Sequence, residues 1–212
     1  MKTALILTLG FDERFCCRAI LRHGIGEGDV IILLTAGLVE RVKKAYEWIK
    51  AFVERSYDVE VRLIQIDVKD PMGAIQNVMS ILDEFKDYNL IVNLSGGMRA
   101  LAIIVLFALL MKPMRNVKLE IELEDFSGLI EIPQHLLRIH EIRKNLTDEK
   151  LEVLKLIAQG VKDVKSLSKA LGKDVSTIRR HISSLEGMGL IRIVKRKPLI
   201  AEATELAESL LE

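Results

Sequence analysis

Leu90-Ile91-Val92-Asn93-Leu94, then Ser95-Gly96-Gly97-Met98-Arg99, then the apolar run Ala100–Met111 is the stretch on which the reading of the fold turns. Five residues rich in Ile, Leu and Val have the length of a strand, a Gly-Gly pair interrupts them, and an apolar segment of helical length follows. Strand, tight loop and buried helix in succession form one unit of a parallel sheet covered on both faces. The same succession recurs toward the N-terminus. Thr3–Thr8, Val30–Thr35 and Val59–Asp67 are further strand-like runs, separated by Asp12–His23, Val39–Arg55 and Met72–Phe85 with apolar residues at helical spacing, as in Val42, Tyr46, Ile49 and Val53. Toward the C-terminus, Pro113 is expected to stop the helix. Val117–Glu124 then alternates strictly, which predicts a strand with Lys118, Glu120, Glu122 and Glu124 on a solvated face. Phe126-Ser127-Gly128 turns it into Leu129–Ile132, an edge hairpin that closes a mostly parallel α/β domain over residues 1–132.

The chain has 212 residues with 31 Lys and Arg against 30 Asp and Glu, so a polybasic coat that seeks phosphate over its whole surface is excluded. A hydrophobic content of 50% and four prolines exclude disorder and collagen-like structure. The adjacent Cys16 and Cys17 cannot build a disulfide framework, and the chain reads as reduced and cytoplasmic. Thr3–Leu9 is followed at once by Asp12, Glu13 and Arg14 without a small-residue cleavage site, so it reads as a first core strand rather than a signal peptide. Ala100–Met111 is too short to span a bilayer, which takes roughly 20 residues, and no membrane partner is expected.

Near-neutrality conceals a local patch. Residues 133–146 read as a charged connector, helical over Gln134–Lys144, and residues 147–212 as a second domain. In that domain a first helix is expected to be capped by Thr147 or Asp148 at its start and by Gly160 at its end, Val164–Leu171 is a second helix, and Asp174 is expected to cap a third that runs to Glu186 and stops at Gly187-Met188-Gly189. Leu190–Lys195 and Leu199–Ala203 read as a hairpin around Arg196-Lys197-Pro198, and Thr204–Leu211 as a last helix. On the third helix Val175, Ile178, Ile182 and Leu185 form an apolar stripe, which leaves Ser176, Thr177, Arg179, Arg180 and Ser183 outside. Small hydroxyls and arginines at the start of an exposed helix suit the edges of bases and the phosphates of a major groove. Lys195, Arg196 and Lys197 add charge at the hairpin, and from Ser176 to Lys197 six Lys and Arg stand against Glu186 alone. Phosphate contacts by such a patch give salt-dependent affinity for double-stranded DNA.

In an open parallel sheet a ligand binds beyond the carboxyl ends of the strands where their order reverses. The first and fourth strands flank that point, and unusual loops follow both. In the second loop Gly96 and Gly97 open a helix whose free N–H groups favour an anion, Arg99 adds a cation, and Asn93 and Ser95 are able to hydrogen-bond a ribose or base. In the first, Gly10 makes a tight turn, Phe11 offers a stacking face, and Asp12 with Glu13 caps the first helix beside Arg14. Met98 and, from the loop after the second strand, Gly37 join the candidate set. Gly24, Gly26 and Gly28 have the wrong spacing and place for a dinucleotide fingerprint, and no P-loop is present. Asn93 stands where a nucleophile elbow needs glycine, and no histidine is arranged toward Ser95. The histidines and cysteines lack metal-ligand spacing, so no metal, cofactor or catalytic residue is assigned.

These motifs carry two resemblances. Asp174-Val175-Ser176-Thr177-Ile178-Arg179-Arg180-His181-Ile182-Ser183-Ser184-Leu185-Glu186 with Gly189-Leu190-Ile191 is similar to the recognition helix and start of the wing in archaeal and bacterial winged helix-turn-helix regulators. Gly10-Phe11-Asp12-Glu13 together with Ser95-Gly96-Gly97-Met98-Arg99-Ala100 resembles the paired signature of the CRISPR-associated Rossmann-fold (CARF) domain. The whole chain resembles the CARF transcriptional regulators of archaeal type I-A loci. That resemblance implies a Rossmann-like sheet, a homodimer, and a pocket for a cyclic oligoadenylate, cyclic tetra-adenylate foremost, lined by Gly10, Phe11, Gly96, Gly97 and Arg99. It also implies a pseudo-palindromic DNA site with half-sites about one helical turn apart. Some CARF proteins cleave their ligand, and Ser95, Arg99 and Arg14 are the residues that such a reaction would use here.

Overall fold

Strand order is what positions the site. A computed structural model describes residues 2–112, 114 and 116–211. Its larger sheet comprises β1 (Thr3–Thr8), β2 (Val30–Thr35), β3 (Glu60–Gln65), β4 (Asn89–Asn93), β5 (Val117–Glu122) and β6 (Leu129–Ile132). Their spatial order is β3-β2-β1-β4-β5-β6, with the first five parallel and β6 antiparallel to β5. Beyond Thr3, all of β1 and β2 is buried, as strands covered on both faces must be. Alternate residues serve opposite faces. Leu5, Leu7, Ile31 and Leu33 pack beneath α1 (Arg14–His23) and α2 (Glu40–Ser56), while Ala4, Ile6, Ile32 and Val92 pack beneath α3 (Pro71–Glu84) and α4 (Arg99–Met111). Succession leaves β1 toward β2 on one side and β4 toward β5 on the other, so the reversal lies between β1 and β4. The first unit is therefore a Rossmann-like α/β domain. Helix α4 ends at Met111, and Pro113, expected to stop it, lies outside the described residues.

The alternating face of β5 is not solvated. Glu120 and Glu122 are 0% and 3% exposed because α1 lays its basic face over them. Arg22 Nη1 and Nη2 lie 2.9 Å from Glu120 Oε1 and 2.8 Å from Glu122 Oε2, Arg18 pairs with Glu122, and His23 Nε2 lies 3.0 Å from Glu120 Oε2. Burial alone pushes the Glu120 carboxyl up. Hydrogen bonds from His23 and Asn93 and the charge of Arg22 outweigh burial and hold it below its ordinary value. Periodicity correctly groups these residues on one face, but a basic helix covers that face instead of water.

The expected connector helix is two helices, α5 (Gln134–Leu137) and α6 (Ile139–Asn145), interrupted at Arg138. The chain divides into two compact units between Arg138 and Ile139. Leu137 belongs to the core of the first and Ile142 to that of the second. The second unit holds α7 (Asp148–Ala158), α8 (Val164–Leu171), α9 (Val175–Gly187), an antiparallel β7 (Ile191–Arg196) with β8 (Leu199–Ala203), and α10 (Glu205–Leu211). Ile178, Ile182 and Leu185 of α9 pack on Val153, Leu154 and Ile157 of α7 and on Leu167 of α8. Val175, expected in that stripe, is 39% exposed and lines an open groove beside Val164 and Lys165 of α8. His181 is buried instead, its Nε2 3.5 Å from Glu149 Oε2, and burial lowers its pKa.

Because the folded-state pKa of Glu120 is depressed, its contribution to stability is complete above the ordinary glutamate value of about 4.5 and is lost as pH falls through the lowered value. Arg22→Met leaves both carboxylates underpaired. We expect urea titrations at pH 7 to show a loss of about 3 kcal/mol for the first unit, and its acid unfolding to begin at higher pH than in the wild type.

Candidate ligand cavity and nucleic-acid interface

The loops after β1 and β4 pack directly against each other at the reversal point. A Cβ on Gly10 would lie 2.8 Å from Gly97 N and 2.9 Å from Gly97 Cα, and one on Gly96 would strike the Thr8 carbonyl. Gly97 has φ +79°, which side chains disfavour. The glycines thus serve first to bring the two loops together, and only then to shape the space beside them.

That space is a cavity of about 500 Å³. Of the residues expected from the sequence, Gly10, Phe11, Asp12, Arg14, Gly37, Ser95, Gly96, Gly97 and Met98 line it. Asn93 does not. It is 2% exposed, its Nδ2 donates to Glu120 Oε1 at 3.0 Å and its Oδ1 accepts the Ser95 N–H at 3.0 Å, so both ends of the amide serve to hold the loop. Ser95 lines the wall while its Oγ accepts the Glu122 N–H at 2.7 Å. Arg99 lies exposed in the first turn of α4, outside the wall. Ser95 and Arg14 therefore share the cavity, and Arg99, the third group assigned to ligand cleavage, stands apart from it.

Electrostatics inside the cavity are partly self-balanced. The guanidinium of Arg14 forks onto Asp12, with Nε 2.9 Å from Oδ1 and Nη2 2.6 Å from Oδ2. This pairing is the main reason the Asp12 carboxyl titrates below its ordinary value. Asp12 Oδ1 also accepts the Arg14 N–H at 2.9 Å, which occupies one donor at the start of α1, while Glu13, expected to share the cap, makes no side-chain bond there. The start of α3 has a side-chain acceptor as well, since Asp70 accepts from Gly73 N. By contrast α2 and α4 begin at Val39 and Met98 with no side-chain cap, and both of these residues border the cavity. Their first N–H groups therefore lack a side-chain acceptor, although Glu40 in the first turn of α2 offsets part of the positive charge there.

Sequence reasoning missed Phe15, Val39, Glu124 and Phe126 in the wall. Arg41 also escaped it; its guanidinium lies 4.6 Å from the centroid of the Phe11 ring. Arg41 falls on the polar side of a helical pattern and Phe126 in what reads as an ordinary turn, so neither carries a signal that periodicity detects.

In the second unit, Ser176, Arg179, Arg180 and Ser183 of α9 are exposed, as are Lys195, Arg196 and Lys197 of the hairpin, while Thr177 is half-buried. Arg179, Arg196 and Lys197 face one groove of about 370 Å³ between the start of α9 and the hairpin turn, with Lys165 on its rim. Arg192 is drawn off by Glu202 at 3.0 Å, whereas Arg179, Lys195, Arg196 and Lys197 have no ion-pair partner among the described residues. Helix and hairpin thus present one cationic surface.

The fold and the two sites define a Rossmann-like domain with a cavity at its sheet reversal, joined to a winged helix with a basic face. Residues 3–133 match the Csa3 CRISPR-associated Rossmann-like domain, and the chain belongs to that family. Residues 147–192, spanning α7 to the start of β7, match the bacterial regulatory proteins of the arsR family. No curated protein matches the chain. With both matches it is a CRISPR-associated DNA-binding regulator, and no described helix is long and apolar enough to cross a membrane.

If loop-to-loop packing is the first task of the glycines, Gly96→Ala and Gly10→Ala each destabilise the first unit by about 1–3 kcal/mol without any ligand, seen as a lower melting temperature. An unchanged melt would mean that the space is kept for a ligand alone.

Proposed function

We propose that the protein senses a cyclic oligoadenylate, cyclic tetra-adenylate in particular, in the cavity of the first unit, and that occupancy alters how the second unit holds DNA at a type I-A CRISPR locus. The observation that carries this reading is the combination, on one chain, of a cavity bordered by two helix starts without a side-chain cap and a winged helix with a basic groove. A ring of phosphates meets the free N–H groups of α2 and α4, and an adenine finds an aromatic face in Phe11, which is 57% exposed.

A homodimer fits the same reading. Helix α4 is apolar all round, and its outer stripe of Ile103, Phe107 and Met111 is 50–56% exposed, a surface that calls for cover. The stripe begins one turn from the cavity loop, so a two-fold axis along α4 brings two cavities near one symmetric ligand. Two α9 helices then enter successive major grooves of a pseudo-palindromic site with half-sites about 34 Å apart. Ligand binding shifts DNA affinity only as far as it distinguishes the two arrangements of the dimer.

Calorimetric titration with cyclic tetra-adenylate is expected to give saturable heat at one ligand per two chains; no heat at tens of micromolar would rule out this ligand. Linear products accumulating during the titration would turn the sensor reading into one of turnover. For DNA, Arg179→Ala combined with Arg180→Ala should weaken binding at least tenfold in a gel shift on the upstream region of neighbouring genes, and should flatten the salt dependence. Unchanged affinity and slope would show that α9 is not the recognition helix.

A further inference from the structure

The turn between β5 and β6 holds a residue that its backbone does not favour. Phe126 has φ +60° and is the only non-glycine residue with positive φ among the described residues. A bulky side chain there is an outlier that persists only where its surroundings demand it. The turn itself makes no such demand. It is closed by backbone groups, Phe126 N–H to the Leu123 carbonyl and Leu123 N–H to the Gly128 carbonyl, both at 2.9 Å, and glycine at position 126 would close it without strain.

The reason for a phenyl ring lies in what it touches. Its centroid is 4.9 Å from that of Phe15. The guanidinium groups of Arg14 and Arg18 lie 5.0 Å and 5.1 Å from it, within the range of cation–π attraction. Phe126 and Arg14 both line the cavity. Arg18 is anchored to Glu122 and Arg14 to Asp12, so the ring is a plate on which two arginines of α1 are laid, one of them at the cavity wall.

We propose that Phe126 is a positioning residue of the ligand site: its ring holds the Arg14 guanidinium at the cavity, ready to move from the Asp12 carboxylate to a phosphate of the ligand. This rests on the reading of the cavity as a cyclic oligoadenylate site. A long arginine side chain loses rotamer freedom when it binds, and one already stacked on a ring loses less, so the plate raises affinity by preorganising the contact. The exchange is a transfer of hydrogen bonds from one anion to another and leaves Arg14 charged throughout.

The test uses the full chain, with cyclic tetra-adenylate as the probe and a melt of each variant without ligand. Phe126→Gly removes the ring and relieves the backbone, and Phe126→Leu keeps bulk without a π face. Both are expected to weaken binding about tenfold while remaining folded, and Phe126→Tyr to recover most of that loss. In an Arg14→Ala background, Phe126→Gly is expected to cost nothing further, because the ring acts through Arg14. If the wild type binds and both ring-less variants bind equally well, or if the losses in the double variant multiply, the inference is overturned while the ligand reading stands. If the wild type does not bind cyclic tetra-adenylate, the ligand reading falls and takes this inference with it.

Discussion

Two carboxylates buried side by side on one strand need cations on the element that covers them. Glu120 and Glu122 of β5 impose that requirement, and Arg18, Arg22 and His23 of α1 meet it. The consequence is geometric. α1 follows the β1 loop, Asn93 ends β4, and Glu122 precedes the turn that carries Phe126, so one ion network ties together three segments that border the cavity. Asn93 joins it through Glu120 and passes the constraint to Ser95, while the Glu122 N–H holds the Ser95 hydroxyl. An apolar helix packed on β5 would have covered the strand equally well. It would not have fixed the register between α1 and the two loops, because dispersion contacts are not directional and paired charges are.

That fixed frame defines what the cavity offers an anion. Arg14 is nearby but already committed to Asp12, and Glu124 contributes a further acid to the wall. A polyphosphate therefore gains little from net charge and must rely on oriented donors: the free starts of α2 and α4, and Arg14 once it is drawn from Asp12. Such a site discriminates by geometry. On the reading proposed above, phosphates spaced around one ligand would meet both helix starts, which a single anionic group would not. On the same reading Phe11, with Arg41 stacked upon it, would be the surface for a base.

How far the sequence foretold this depends on what a pattern measures. Strand–helix alternation was legible because β1 and β2 are uninterrupted apolar runs, and the glycines of both loops were legible because their spacing from strand ends is unusual. The alternation in Val117–Glu122 correctly placed Lys118, Glu120 and Glu122 on one face, yet the pattern is the same whether water or a basic helix covers that face. Asn93 illustrates the converse: a polar residue at a strand end reads as a ligand contact, and only its distances to Glu120 and Ser95 reveal that it is spent internally. Phe126 and Arg41 contribute through contacts between segments distant in sequence, where no periodicity exists. His181 is buried and Val175 exposed at the rim of a groove beside α8, a matter of helix placement rather than of apolar spacing.

The connector bears on how a ligand could influence DNA. Here Leu137 is buried in the first core and Ile142 in the second, and α5 follows directly from β6, the strand that pairs with β5 and whose turn carries Phe126 into the cavity wall. The covalent path from the cavity to the second unit runs through β6, α5 and α6, with an interruption at Arg138. β6 is the least constrained of these, an edge strand with Leu129, Ile130 and Glu131 exposed and β5 as its one neighbour in the sheet. It is not free of the core, however: Ile132 packs against the first core and Glu131 lies 2.9 Å from Lys118, so a ligand that changes the grip on DNA, as proposed above, would have to bind two arrangements of this region unequally.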